Sequence, residues 1–191
     1  MLVILSGPSG SGKNSVIGGL LSKYPDTYAF VPSVTTRKMR PGESEGAPYR
    51  YVSREEFKKR LAAGEFYEHE EIHGNLYGMS KRILDDMLGM GKILLKDIDV
   101  KGTVSMLNAL KGERVLTVFL TAGGREQLED RLRLRGEGDI ELRLKRYDTE
   151  MAFADSYDHI VVNDVLDRAV KETHEKITNY SVQIQIIDLV T

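Results

Sequence analysis

Short unbroken apolar runs alternate with amphipathic stripes along this chain, the pattern of a mostly parallel sheet wrapped by helices. Leu2 to Leu5 is such a run, and Ile17, Leu20 and Leu21 follow it at helical spacing. Tyr28 to Val34 predicts a short strand or extended segment. Ser53 and Glu56 have capping-box spacing, and Phe57 and Leu61 then share one face of a short helix ending near Gly64. A second short helix is expected from a Ser80 cap to about Met90, with Ile83 and Leu84 packing and Gly91 stopping it. Ile93 to Asp99 and Val115 to Leu120 are further buried-strand candidates, and Leu128 and Leu132 mark a charged helix after them. Ile140, Leu144, Tyr147, Met151 and Ala154 step by four and three, the stripe of a packing helix. His159 to Val162 is another strand, and Asp164 with Asp167 suits the start of a helix lined by Leu166, Val170, Thr173 and Ile177. The last stretch, SVQIQIIDLV, begins by alternating and predicts an added edge strand or a pairing surface between subunits. The order of strands and helices gives an α/β fold in a single domain over 1–191.

Chemistry enters first between the opening strand and helix, where GPSGSGK has the form G-x-x-x-x-G-K. A strand, a glycine turn and a helix start aim successive backbone N–H groups into one concavity, with the positive helix end behind them. Gly7, Pro8, Ser9, Gly10, Ser11 and Gly12 therefore form a candidate polyphosphate cradle, with Lys13 as its movable positive charge and Asn14 and Ser15 opening the helix. Such loops usually place Ser or Thr after the lysine, where the hydroxyl ligates magnesium. Asn14 offers an amide oxygen instead, which would hold the metal more weakly or through water.

Composition narrows the possibilities. The formal net charge of −2 and the pI of about 6.1 give no general basic field, so no nucleic acid partner is expected and any anion site is local. The chain has no cysteine, which excludes a disulfide framework and Cys-ligated zinc. Its first apolar run is too short for a signal peptide or a membrane span, so a cytoplasmic protein without a membrane partner is expected.

Against that background, local clusters stand out. Arg37, Lys38 and Arg40 gather in a loop rich in Gly and Pro, where two arginines three apart can clamp one phosphate, although a solvated loop reads the same way. Glu65, Glu68, Glu70 and Glu71 sit beside His69, His73, Tyr67 and Tyr77; a polar pocket or solvated edge fits them better than a metal site. Period two puts Asp97 and Asp99 on one side at the C-terminal end of their strand, where they could face a magnesium ion or a substrate donor, the alternative being a strand-ending turn with solvated acids. Five arginines between positions 131 and 146 read alone as a solvated helix face, but beside a polyphosphate cradle they fit a flap that neutralises a moving phosphoryl group. Together these features favour a kinase for a small phosphorylated acceptor: an acceptor that is already an ionised phosphate needs no catalytic base, and no convincing histidine–carboxylate pair is visible.

The chain also resembles the guanylate kinase family over nearly its whole length. The resemblance rests on SGPSGSGK at Ser6–Lys13, SVTTRKMRPGE at Ser33–Glu43, Tyr49, GEFYEH at Gly64–His69, GNLYG at Gly74–Gly78, DIDVKG at Asp97–Gly102 and IVVND at Ile160–Asp164. It implies the P-loop nucleoside-monophosphate-kinase-like fold, with an inserted monophosphate-binding lobe at 34–81 and a lid at 124–144 that close over a rigid core. The implied activity is transfer of a phosphoryl group from ATP to GMP or dGMP, with Mg2+. By resemblance, Ser33, Arg37, Arg40, Tyr49 and Tyr77 hold the GMP phosphate, while Glu68 and Asp99 accept hydrogen bonds from guanine N1–H and the 2-amino group. Lys13 holds the ATP phosphates, and Asn163 lies near adenine. Arg131, Arg135 and Arg146 join Lys13 and Arg37 in the catalytic set, and Asn14 and Asp97 are the candidate metal contacts.

Two positions depart from the family pattern. Met79 stands where the family has a Ser or Thr that donates to guanine O6, and a thioether cannot donate; Ser80 shifting inward would be one repair. Asn14 is the other. A kinase for a different nucleoside monophosphate therefore stays open, as does a non-catalytic phosphopeptide-binding module, though the intact Gly7, Gly12 and Lys13 argue against the latter. A monomer and a homodimer are both compatible with the sequence.

Overall fold

The computed structural model describes residues 1–40, 42–72, 74–134 and 140–190, and the side chains among them except those of 142 and 186–190. In chain order the elements are β1 (Leu2–Ser6), α1 (Lys13–Lys23), β2 (Tyr28–Phe30), β3 (Ser33–Thr35), β4 (Ser44–Glu45), β5 (Pro48–Tyr51), α2 (Arg54–Ala62), β6 (Phe66–Ile72) and β7 (Asn75–Ser80). There follow α3 (Lys81–Leu88), β8 (Ile93–Asp97), α4 (Val100–Ala109), β9 (Val115–Thr121), α5 (Arg125–Leu134), α6 (Ile140–Met151), a short 3-10 turn at Ala154–Ser156, β10 (His159–Val162) and α7 (Leu166–Val190).

The core sheet runs β10-β9-β1-β8-β2, and every pair in it is parallel. Its centre, β1, is buried throughout and divides the protein's interior by its two-residue period. Val3 and Leu5 pack with Val16, Ile17 and Leu20 of α1 and with Ala169, Val170 and Ile177 of α7. Leu2 and Ile4 face the other way, onto Val31, Met79, Leu84, Leu94 and Met106. Burial on both faces explains why the strand reads as an unbroken apolar run.

A second sheet, ordered β4-β5-β3-β7-β6, spans Ser33 to Ser80 and has its own small core of Val34, Phe57, Phe66 and Leu76. The stretch expected to be one segment from Tyr28 to Val34 is two strands in two sheets. β2 pairs with β8, β3 pairs with β5 and β7, and Val31 is tied back by its N–H to Leu95 O at 2.9 Å. Pro32 follows and cannot donate to a ladder, so the change of sheet falls there. Between α5 and α6, Leu128, Leu132, Leu144 and Tyr147 form a third apolar cluster.

Three sequence expectations need correction. The C-terminal stretch is helix: α7 continues unbroken to Val190 instead of ending in a strand. No glycine or proline interrupts it, and extending an existing helix needs no new nucleus. Secondly, β8 ends at Asp97, and Asp99 is the N-cap of α4, its Oδ1 accepting from Gly102 N at 2.6 Å. An aspartate before a helix start satisfies an otherwise orphaned N–H, and this outweighs strand continuation. Thirdly, Ser80 occupies the N-cap of α3 without capping it through its side chain, and that helix ends at Leu88 with Gly89 as its C-cap. Ser53 does cap α2, accepting from Glu56 N at 3.1 Å.

Candidate active site

The glycine loop leaves β1 at its C-terminal end, and Gly12 is the N-cap of α1. Its glycines are sterically required. Gly7 has φ +128°, and a Cβ there would lie 2.0 Å from Leu120 O; at Gly12, with φ +89°, a Cβ would meet Asn163 Nδ2 at 2.2 Å. Asn163 is buried and donates from that nitrogen to Ser11 O at 2.7 Å, so the end of β10 shapes the loop. Lys13 lies across the loop, its ammonium donating to Gly7 O at 2.6 Å and Pro8 O at 3.1 Å. Burial pulls its pKa below the usual lysine range, while Asp97, Glu150 and Asp99 oppose that shift.

One open cleft of about 290 Å³ brings together residues from both sheets: Lys13, Asp97, Lys96 and Asp99 from the core side, and Ser33, Tyr49, Glu68, Glu70 and Tyr77 from the second sheet. Glu68 and Glu70 are two apart on β6 and turn inward together, while His69 between them is exposed. Burial pushes the Glu68 carboxyl up to about 7, with the Asp99 charge adding to the rise and Lys96 and the Met79 backbone amide opposing it. Glu70 is raised too, first by burial and then by a hydrogen bond with Asp99. Because one Asp99 oxygen caps α4, its orientation toward this carboxylate group is set by the helix.

At the other end of the cleft, Arg37 forms a two-pronged pair with Glu43, at 2.7 and 3.0 Å. Tyr51 Oη and Arg40 N also donate to Glu43, at 2.7 and 2.8 Å, and the Arg37 guanidinium lies 5.0 Å from the Tyr49 ring centre. These donors, Arg37 foremost, hold the Glu43 carboxyl down to about 2. Arg37 is thereby positioned beside Tyr49 and Tyr77, whose rings meet edge to face at 5.8 Å, whereas the Arg40 side chain is exposed.

The remaining expected residues are placed as follows. Asn14 and Asp97 line one pocket of about 240 Å³ with Ser9, Gly10, Gly12, Lys13 and Ser15. These are hard oxygen donors suited to a magnesium ion that draws its other ligands from phosphates and water. Among the described residues no group of three or more His, Cys, Asp or Glu side chains is placed to hold a metal ion. Arg146 lines a neighbouring cavity of about 350 Å³ with Asp99, Glu70, Lys145 and Glu150. Arg131 donates to Asp164 O at 3.3 Å. Arg135 and His73 lie outside the described residues. Met79, fully buried, points into the apolar cluster with Leu84 and Leu94 and away from the polar cleft.

Sequence reasoning placed Glu70 only in a polar pocket or solvated edge and Arg143 only among the five arginines of the flap, and it missed Lys96 and Glu150 at this site. Glu70 had a signal, since it is one period-two step from Glu68. Lys96 had a weaker one, a lysine inside a buried strand. Arg143 on α6 hydrogen-bonds to Ser9 of the glycine loop, and Glu150 on the same helix lies close enough to Lys13 to affect its charge. Only the fold brings these last two to the loop.

Comparison with known proteins agrees with this geometry. The family model described as guanylate kinase matches residues 1–180. A guanylate kinase of Chlorobium chlorochromatii is 38% identical over 182 residues, covering 94% of this chain and 95% of that protein. One from Idiomarina loihiensis is 40% identical over 167 residues, covering 85% and 79% respectively. The crystal structure of guanylate kinase from Anaplasma phagocytophilum superposes with a TM-score of 0.73 at 30% identity, covering 94% of this chain and 85% of that one. With its glycine loop, two-sheet cleft and near full-length matches, the chain belongs to the guanylate kinase family.

Proposed function

We propose that this chain transfers the γ-phosphoryl group of ATP to the phosphate of GMP, giving ADP and GDP, and that it takes dGMP through the same contacts. The observation that carries the reading is the shared cleft: Lys13 of the glycine loop, the carboxylates Glu68 and Asp99, and the rings of Tyr49 and Tyr77 face one space, with Arg37 packed against Tyr49. The loop N–H groups and Lys13 hold the ATP phosphates, with Asn163 keeping the loop in shape. Ser33, Arg37, Arg40, Tyr49 and Tyr77 hold the acceptor phosphate, Arg37 exchanging Glu43 for it. Glu68 and Asp99 accept from guanine N1–H and the 2-amino group. Adenine presents no such pair of donors and would leave two half-buried carboxylates unpaired.

Transfer between two bound phosphates is a matter of alignment and charge balance, with water kept out. Arg131, Arg135 and Arg146 supply positive charge over the bridge, and segments 34–81 and 124–144 close on it as lobe and lid. Asn14 and Asp97 would hold magnesium beside the glycine loop, where the ion would supply positive charge against the phosphates. No described helix is long and apolar enough to cross a membrane; a cytoplasmic monomer or homodimer fits this reading.

The test is a coupled ADP-release assay with ATP and magnesium, offering GMP, dGMP, AMP, IMP, CMP and UMP in parallel. GMP is expected to give the highest kcat/KM. Equal or faster turnover of AMP, or no turnover of any acceptor, would overturn the reading.

A further inference from the structure

Lys96 is the least expected residue in the cleft. It is 2% exposed, on the strand face that carries Leu94, with Ile4 as its partner on the neighbouring strand and its Nζ 5.1 Å from the centre of the Phe30 ring. A leucine or methionine would pack there without the desolvation penalty of an ammonium group, so the charge needs a reason. Its Nζ donates to Ser33 Oγ at 2.7 Å and to Asp97 Oδ1 at 3.3 Å, leaving one of three N–H donors without an acceptor among the described residues. Lys96 lines the cleft beside Glu68, which feels its charge.

The guanine edge presents two donors, N1–H and the 2-amino group, next to an acceptor, O6. Two carboxylates satisfy the donors, but a carboxylate repels O6. That oxygen requires a donor on the same side of the cleft. Met79 cannot provide one, being a thioether turned into the core, and Ser80, the other candidate, does not line the cleft. Tyr49 and Tyr77 belong to the Arg37 end. Lys13 is engaged across the glycine loop. Lys96 has the chemistry, the burial and the position.

We infer that Lys96 reads the base: its ammonium donates to guanine O6, replacing the contact that Met79 cannot make. Ser33, which accepts from Lys96, has its own O–H directed by that bond and acts with it. The inference rests on the guanine reading above and adds the residue that separates a 6-oxo purine from a 6-amino one.

The experiment is calorimetric binding of GMP, 6-thio-GMP and AMP to the wild-type protein and to Lys96→Met. 6-Thio-GMP keeps both donors and replaces O6 with a poor acceptor. Wild-type protein is expected to bind GMP about tenfold or more tightly than 6-thio-GMP. Lys96→Met is expected to weaken GMP about 10- to 100-fold, the loss of a charged hydrogen bond, and to bring the GMP to 6-thio-GMP ratio close to one. Equal weakening of both guanine ligands, with the ratio retained, would show that Lys96 only holds Ser33 and would overturn the inference while leaving the preference for GMP over AMP intact. Absence of that preference in the wild-type protein would overturn the guanine reading and the inference with it. A measurement without any variant is isotope-edited infrared spectroscopy of the GMP 6-carbonyl: its stretch is expected to fall on binding to the wild-type protein, and a stretch at or above the aqueous value would overturn the proposal.

Discussion

Glu68 must accept hydrogen bonds in a place that favours its neutral form. Burial holds its pKa up at about 7, with Asp99 adding to the rise while Lys96 and the Met79 amide pull against it. Guanine binding needs the ionised carboxylate, so the sign is fixed: as pH falls below 7 the acceptor is lost and the KM for GMP should rise, approaching tenfold per pH unit. Glu68→Gln should remove that step while leaving the titration of the GMP phosphate itself, and should weaken GMP by about 1.5–3 kcal/mol. Initial rates from pH 5.5 to 8.5 for both proteins check this. For stability the sign is opposite to that of a salt-bridged acid. The folded state holds the Glu68 proton more tightly than the unfolded chain, so its contribution declines as pH rises from about 4.5 to about 7. Glu68→Gln should therefore gain most in Tm, relative to wild type, above pH 7. Glu68 was legible because its motif carries it. Glu70 was legible only as part of a polar pocket or solvated edge and Lys96 not at all, because a glutamate or a lysine on a strand has a solvated reading until the opposite sheet is seen to cover it.

At the scale of elements, the glycine loop shows why its spacing was readable. Its backbone passes so close to β9 that Gly7 has no room for a methyl group, and the obstructing atom is a strand carbonyl that cannot move aside. Gly7→Ala should lower stability by about 2 kcal/mol or more, from positive-φ strain and the clash together, and ATP binding should fall with it; thermal melts with and without ATP check both. The second sheet offers a different test. Phe57 stacks on Phe66 at 4.5 Å within a cluster separate from the main core. Phe57→Ala should cost about 3–5 kcal/mol of local packing and weaken GMP far more than it weakens an ATP analogue, because the glycine loop belongs to the other sheet. Equal weakening of both nucleotides would count against this division. Elements were misread where two periods overlap. Val182, Ile184 and Ile186 alternate like a strand, yet they continue a helix whose register Val170 and Ile177 fix against α1. Asp99 illustrates the same limit, since alternation through Ile98 looked like strand until a capping oxygen ended it.

For the whole molecule, the decisive fact is that phosphate chemistry is divided between two sheets with one cleft between them. The cradle belongs to the parallel sheet through β1 and α1, and Arg37, Tyr49 and Tyr77 belong to the second sheet, joined to the first at Val31 and Pro32. Neither sheet alone can align a donor phosphate with an acceptor phosphate. A ligand joining adenosine and guanosine through a chain of five phosphates would occupy both ends, and occupying the first end makes the second contact intramolecular, at a high effective concentration. Such a ligand should bind at least about 100-fold more tightly than ATP or GMP alone. Lys13→Met and Glu68→Gln should each weaken it, since each variant removes one end. Their double variant should lose about the sum of the two free energies, because the residues lie on different sheets and share no hydrogen bond among those described. Calorimetry on the four proteins measures every term of that cycle. A joined ligand no tighter than ATP would mean that the two ends are not set at the separation phosphoryl transfer needs.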